Sequence, residues 1–188
     1  MNVQEIANYE IDSNLRGHYS SYTFPKTFSC GEPFLDDYFK TRLKRALKSE
    51  NVTGIGAINH NGELFAFCTL TFLVLDKLRV QRHLEQGNQP PQVPAVKLSM
   101  LAVDASYQRQ GIGGELLMIA FDQAITVHKT IPVKGMYLDA APKAIRFYQS
   151  LGFEILDEVG ADGTMPMFIP IKRMIAATSV ASDGVAGS

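Results

Sequence analysis

The sequence predicts a mixed α/β domain, and three observations carry that expectation. Hydrophobic patterns follow the order helix, hairpin, strand, helix, strand, helix, hairpin, which is not a repeating βα array. An Asn61-Gly62 pair separates two β-rich runs, a strong hairpin signal. Glycines 111, 113 and 114 separate a strand-like apolar run from a helix-like one. With 188 residues, 46% of them hydrophobic, the chain can bury one core, and a single domain is placed over residues 1–174.

Residues 33–48 read as a helix because Phe34, Leu35, Tyr38, Phe39, Leu43, Ala46 and Leu47 recur near helical spacing. Pro33 suits its first turn, and Asp36 and Asp37 lie near the positive end of its dipole. Lys40, Arg42, Lys44, Arg45 and Lys48 make its outer face basic. A strand over 53–59, the turn at Asn61-Gly62 and a longer strand over 64–75 follow. Residues 76–94, with Pro90, Pro91 and Pro94, form an excursion with one helical turn near residues 80–84. Next come a strand over 96–104, a helix over 111–128, a strand over 133–138 and a short proline-opened helix over 142–151. Residues 153–156 and 166–171 close the order as an antiparallel pair turning at 160–163. Residues 175–188 are small and polar and read as a disordered tail.

A net charge of −1 excludes wholesale nucleic-acid binding and leaves local patches. One candidate is the basic helix face; another is Lys77, Arg79, Arg82 and His83. Either also reads as ordinary solvated surface. Cys30 and Cys68 are too few for a disulfide framework and have no ligand spacing, so a reduced cytoplasmic location is expected and no metal. No signal peptide is visible, and the longest apolar stretch is too short to span a bilayer, so no membrane partner is expected.

The stretch Gln108-Arg-Gln-Gly-Ile-Gly-Gly114 follows the run Leu98-Ser-Met-Leu-Ala-Val-Asp104 and opens a helix. Such a turn leaves the first backbone N–H groups of the helix aimed at one point, which suits a phosphate. A dinucleotide fingerprint would need a third glycine where Leu116 stands, and a P-loop would need a Gly-Lys-Ser/Thr triplet that the chain lacks. What remains is (Gln/Arg)-x-x-Gly-x-Gly, met by Gln108, Gly111 and Gly113; ordinary strand-to-helix turns use glycine as well. The pattern resembles the acyl-CoA pyrophosphate loop of the GNAT superfamily of N-acetyltransferases. A second stretch, Ala144-Ile-Arg-Phe-Tyr-Gln-Ser-Leu-Gly-Phe153, is similar to that superfamily's Ala-x-x-Phe-Tyr-x-x-x-Gly-Phe signature. More narrowly, Phe28-Ser-Cys-Gly-Glu-Pro-Phe-Leu-Asp36 and the strand from Pro94 to Asp104 resemble motifs of GNAT toxins from bacterial toxin–antitoxin pairs.

The resemblance implies a mixed, mainly antiparallel sheet splayed between its central strands, with helices on both faces. It implies acetyl-CoA as cosubstrate, its pyrophosphate held by Gln108, Arg109, Gln110, Gly111, Ile112, Gly113 and Gly114. The pantetheine arm would lie along Leu101, Ala102 and Val103, and Tyr148 would be the general acid for the leaving thiolate. The narrower resemblance implies the α-amine of aminoacyl-tRNA as acceptor, a small antitoxin partner and a homodimer. Two positions depart from it: Met100 stands where those toxins carry arginine, and Ala141 where many GNAT enzymes have asparagine. A small amine or protein N-terminus as acceptor, or a catalytically silent binding module, therefore stay open. So does the general base, with Asp104, Ser99, Glu63 and an ordered water as candidates.

Overall fold

The computed structural model describes residues 9–85, 87–156, 160 and 162–185. In chain order, β1 (Tyr9–Asp12), α1 (Leu15–His18), α2 (Pro33–Asp37), a π-helical stretch (Tyr38–Leu43) and α3 (Lys44–Lys48) lead to β2 (Thr53–Asn59) and β3 (Leu64–Asp76). Then come α4 (Lys77–Val80), β4 (Gln92–Val103), α5 (Ile112–Thr130), β5 (Gly135–Ala140), α6 (Ile145–Ser150), β6 (Glu154–Ile155), β7 (Met165–Pro170) and α7 (Ile171–Val185). The seven strands are ordered β1-β2-β3-β4-β5-β7-β6. β1 with β2, β2 with β3, β5 with β7 and β6 with β7 are antiparallel, whereas β4 pairs with β5 in parallel at Val96↔Met136 and Lys97↔Tyr137. The mixed, mainly antiparallel architecture expected from the sequence is therefore present.

Two compact units share this chain, 1–71 with 99–120 and 72–98 with 121–188. The first is built on aromatic packing: Phe28 stacks on Phe39 at 3.9 Å between centroids, and Leu15, Leu43, Leu47 and Phe67 complete a buried cluster. In the second, Leu75, Val80, Val93, Ala95, Tyr137, Leu156 and Phe168 pack together. Gly135 is required there, because a Cβ would collide with the Ile169 carbonyl and the Phe168 ring.

Several elements differ from expectation for identifiable reasons. The 33–48 helix is continuous but widens over Tyr38–Leu43. There the Thr41 hydroxyl bonds the Asp37 carbonyl at 2.8 Å, competing for the acceptor of the regular ladder. β1 and α1 were not anticipated; β1 is fixed by pairing Tyr9 opposite Asn59, and Asn14 caps α1 by accepting from the Gly17 N–H at 3.3 Å. β4 begins at Gln92, earlier than expected, with the Pro94 carbonyl accepting from the Lys134 N–H. The tail expected to be disordered over 175–188 is corrected as far as 185, where α7 continues from Ile171 to Val185; residues 186–188 lie outside the described residues. Buried Ile171 and Met174 anchor its first turn, and alanines are good helix formers. No helix among the described residues is long and apolar enough to cross a membrane.

Candidate functional site

In the first unit, β4 leads through Asp104 into a short 3-10 turn, Ala105–Tyr107, and then into the glycine stretch. Gln108 is extended, Arg109 has φ 62° and Gly111 φ 84°. A left-handed arginine costs about 1–2 kcal/mol, so the surroundings must hold this loop. The Glu115 N–H donates to the Gly111 carbonyl at 3.0 Å. Ile112, Gly113 and Gly114 thus form the first turn of α5, whose N–H groups have no carbonyl one turn earlier to bond. They point the positive end of a 19-residue helix dipole outward.

Gly114 is informative. Its φ lies outside the left-handed region, and a Cβ built there would meet nothing within 4 Å. Neither backbone conformation nor packing demands glycine at this position. What the missing side chain leaves is open space at the helix start, which is compatible with an anion seated on backbone N–H groups.

Gln108 has a different use from the one the loop motif suggested. Its side-chain amide donates to the Cys30 and Val103 carbonyls, each at 2.9 Å, so it shapes the loop. Asp104 accepts from the Ser29 N–H on one oxygen and the Ser106 N–H on the other, both at 3.0 Å. That makes it a cap and connector. Glu63 is held by the Asn59 amide at 3.0 Å, and the Ser99 and Thr71 hydroxyls lie 3.0 Å apart. Ahead of the loop, Ala102 is buried and Leu101 and Val103 are half-buried. Met100, where the narrower resemblance would place a cation, packs against the first core.

Tyr148 belongs to the second unit, on α6. It is 8% exposed and wedged edge-on between Phe147 and Phe153, at 5.1 and 5.7 Å. Ala141 begins the preceding 3-10 turn, Pro142–Ala144, and offers no side-chain cap. Nearby in sequence, the Tyr137 hydroxyl donates to Asp139 at 2.5 Å, Lys97 pairs with Asp139 at 2.9 Å, and Arg79 lies over the Tyr137 ring. Burial, then the hydrogen bond to Asp139, pushes the Tyr137 phenol up to about 12.

The two basic stretches fare differently. Lys40, Lys44, Arg45 and Lys48 remain exposed in the first unit, while Arg42 pairs with Asp37 and lies over Phe34 and Tyr38. In the second, Arg82 donates to the Leu156 carbonyl at 2.6 Å and His83 sits 2.7 Å from Glu154. Arg82, though exposed, and His83 are thus tied to neighbouring groups of the fold, which the sequence alone does not show.

A strand, a glycine turn and a long helix with first-turn backbone donors form, in an α/β protein, an arrangement chemically suited to receive an anion. The family is then shown directly: residues 55–155 match the acetyltransferase (GNAT) domain, and the chain belongs to that family of acetyltransferases. It is 31% identical over 132 residues to a tRNA-acetylating toxin of Mycobacterium tuberculosis, covering 69% of this chain and 77% of that one. Among solved structures, a bacterial toxin is 35% identical with a TM-score of 0.83, covering 91% of this chain and 95% of the other. The toxin AtaT complexed with acetyl-methionyl-tRNAfMet has a TM-score of 0.76 over 90% and 98% of the two chains; at 23% identity that likeness is one of fold.

Proposed function

We propose that this acetyltransferase moves the acetyl group of acetyl-CoA to the α-amine of aminoacyl-tRNA, and so acts as a translation-blocking toxin. The observation that carries the donor half is Gly114, a glycine that the fold does not need at the mouth of an anion-binding helix start. The backbone N–H groups of residues 109–114 would hold the pyrophosphate, with the exposed Arg109 guanidinium adding charge. Leu101, Ala102 and Val103 would present strand-edge backbone groups to the pantetheine arm.

Acetyl-CoA supplies a thioester open to direct attack by a neutral amine. The N–H of Ala102 or Val103 would receive the charge that develops on the carbonyl oxygen. Tyr148 would offer its hydroxyl proton to the departing sulfur. The acceptor follows from the same chemistry. The two carboxylates considered as base, Asp104 and Glu63, accept hydrogen bonds within the fold. An α-amine, with pKa about 7.7–8.0, is partly neutral at pH 7 without a strong base, whereas a lysine amine at about 10.4 is not. The tRNA-acetylating relative supports that choice. The exposed lysines of the 33–48 helix supply a local surface for phosphates despite the net charge of −1. A cytoplasmic location, an antitoxin partner and a homodimer complete the reading.

Labelled acetyl-CoA offered with aminoacyl-tRNA, deacylated tRNA, peptides and polyamines tests this. Label is expected on the aminoacyl group of charged tRNA. Label on peptides or polyamines but not on charged tRNA would make the protein a different N-acetyltransferase, and binding without turnover on any amine would leave a silent module. Expression should arrest growth, and Tyr148→Phe should relieve the arrest.

A further inference from the structure

The motif from Phe28 to Asp36 takes no part in the transfer described above, yet its polar groups converge on the acetyl-CoA loop. On one side, Ser29 pairs with the start of the loop through its backbone: its N–H donates to Asp104 at 3.0 Å and its carbonyl accepts from the Ala105 N–H at 2.8 Å. The Cys30 carbonyl accepts the Gln108 amide that also ties down Val103. On the other side, Asp36 of α2 grips the same two residues. One carboxylate oxygen accepts the Cys30 N–H at 2.7 Å and the other the Ser29 hydroxyl at 3.0 Å. Phe28, 1% exposed and stacked on Phe39, pins the segment to the core.

The loop needs such a brace. Arg109 at φ 62° holds a conformation that persists when neighbours over-determine it. Burial raises the pKa of Asp36, but the Cys30 N–H and thiol, the Ser29 hydroxyl and the charge of Lys40 outweigh it and hold the group below the ordinary aspartate value. Asp36 therefore works as a carboxylate, with two acceptor oxygens each committed to the strut.

We propose that Asp36 is a positioning residue for the acetyl-CoA loop, acting through Ser29 and Cys30 to keep residues 109–114 in the shape that receives the pyrophosphate. The assignment rests on the acetyl-CoA reading above. It gives the Phe28–Asp36 motif a purpose, since the helix with the exposed lysines also sets the grip on the donor. By linkage, whatever free energy the helix start adds to acetyl-CoA binding, bound acetyl-CoA returns to holding the helix start in this arrangement.

The test is calorimetric acetyl-CoA binding, with steady-state kinetics on aminoacyl-tRNA, for the intact chain and for Asp36→Ala, Asp36→Asn and Ser29→Ala. Asp36→Ala removes two charge-assisted hydrogen bonds and should raise both Kd and KM for acetyl-CoA by about tenfold. At saturating acetyl-CoA its kcat should stay within about twofold, a split that general loss of structure would not produce. Asp36→Asn, which keeps one acceptor for the Cys30 N–H, should fall between. Ser29→Ala should weaken binding about two- to threefold and decides the matter with Asp36→Asn if Asp36→Ala does not fold. Wild-type Kd in these variants, or a lower kcat with unchanged KM for acetyl-CoA, would overturn the assignment while leaving the functional reading intact. A wild-type chain that does not bind acetyl-CoA would overturn both.

Discussion

The glycine loop proposed to receive acetyl-CoA and the helix that carries Tyr148 are held in place by different physics. The loop is shaped by polar ties: Asp104 to two backbone N–H groups, Gln108 to two carbonyls, and Ser29 to both sides. Tyr148 is set by aromatic packing between Phe147 and Phe153. A polar brace fails group by group and is read out in donor affinity. The ring contacts of Tyr148 survive removal of its hydroxyl, so the loss of that group is expected to be read out in turnover.

The largest effect that sharpens this contrast is expected from Tyr148→Phe. It should lower kcat by about 10²–10⁴-fold, the usual worth of a positioned acid, with acetyl-CoA Kd within about twofold in calorimetry. An unchanged kcat would remove Tyr148 from the chemistry. Next stand two glycine substitutions that look alike on paper. Gly135→Ala forces a Cβ into the Ile169 carbonyl and the Phe168 ring and should cost about 3 kcal/mol in chemical denaturation. Gly114→Ala meets open space, so its denaturation curve should match wild type or shift upward slightly. Its KM for acetyl-CoA should nonetheless rise about tenfold, as a side chain over the helix donors weakens charge-assisted hydrogen bonds. Wild-type KM for Gly114→Ala would break the contrast.

A smaller effect separates acceptor from donor. Lys44→Glu with Lys48→Glu should reduce the rate on limiting aminoacyl-tRNA by about three- to tenfold and flatten its salt dependence, because phosphate contacts carry that slope. Acetyl-CoA affinity should not move. The smallest is a pH effect in the second unit. The hydrogen bond from Arg173, with that from His83, outweighs burial and holds Glu154 below the ordinary glutamate range. A depressed carboxylate contributes stability that is present above its unfolded pKa and is lost as pH falls through the folded one. Glu154→Gln should therefore cost about 0.3–0.5 kcal/mol at pH 7, since the pair is half-exposed. In urea titrations the difference should close as the pH falls below about 4.

What the sequence made legible is local in origin. Asn61-Gly62 announced its hairpin because the left-handed Gly62, at φ 74°, is a requirement of the turn itself. The glycine loop and the α6 signature were readable for the same reason: each is a short stretch whose chemistry is its own. The remainder depends on distant partners. The role of Gln108 lies in the Cys30 carbonyl, and Arg82 and His83 look like a basic patch until Leu156 and Glu154 claim them. β1 has four residues and exists by pairing with β2. The tail followed composition to the wrong state, because its first turn is fastened by Ile171 and Met174, outside the segment whose composition suggested disorder.

The widened turn over Tyr38–Leu43 bears on how this helix tolerates changes of length. Bonds from i to i+5 enclose one residue more than those from i to i+4. The stretch therefore carries one residue beyond what an α-helix of the same reach requires. Losing a single residue there would let the ladder close as ordinary α-helix without rotating the buried Phe39 end against the buried Leu47 end. A deletion on either side of the stretch would turn one end out of the core, so chains that differ by one residue in this helix can keep both its apolar and its lysine faces.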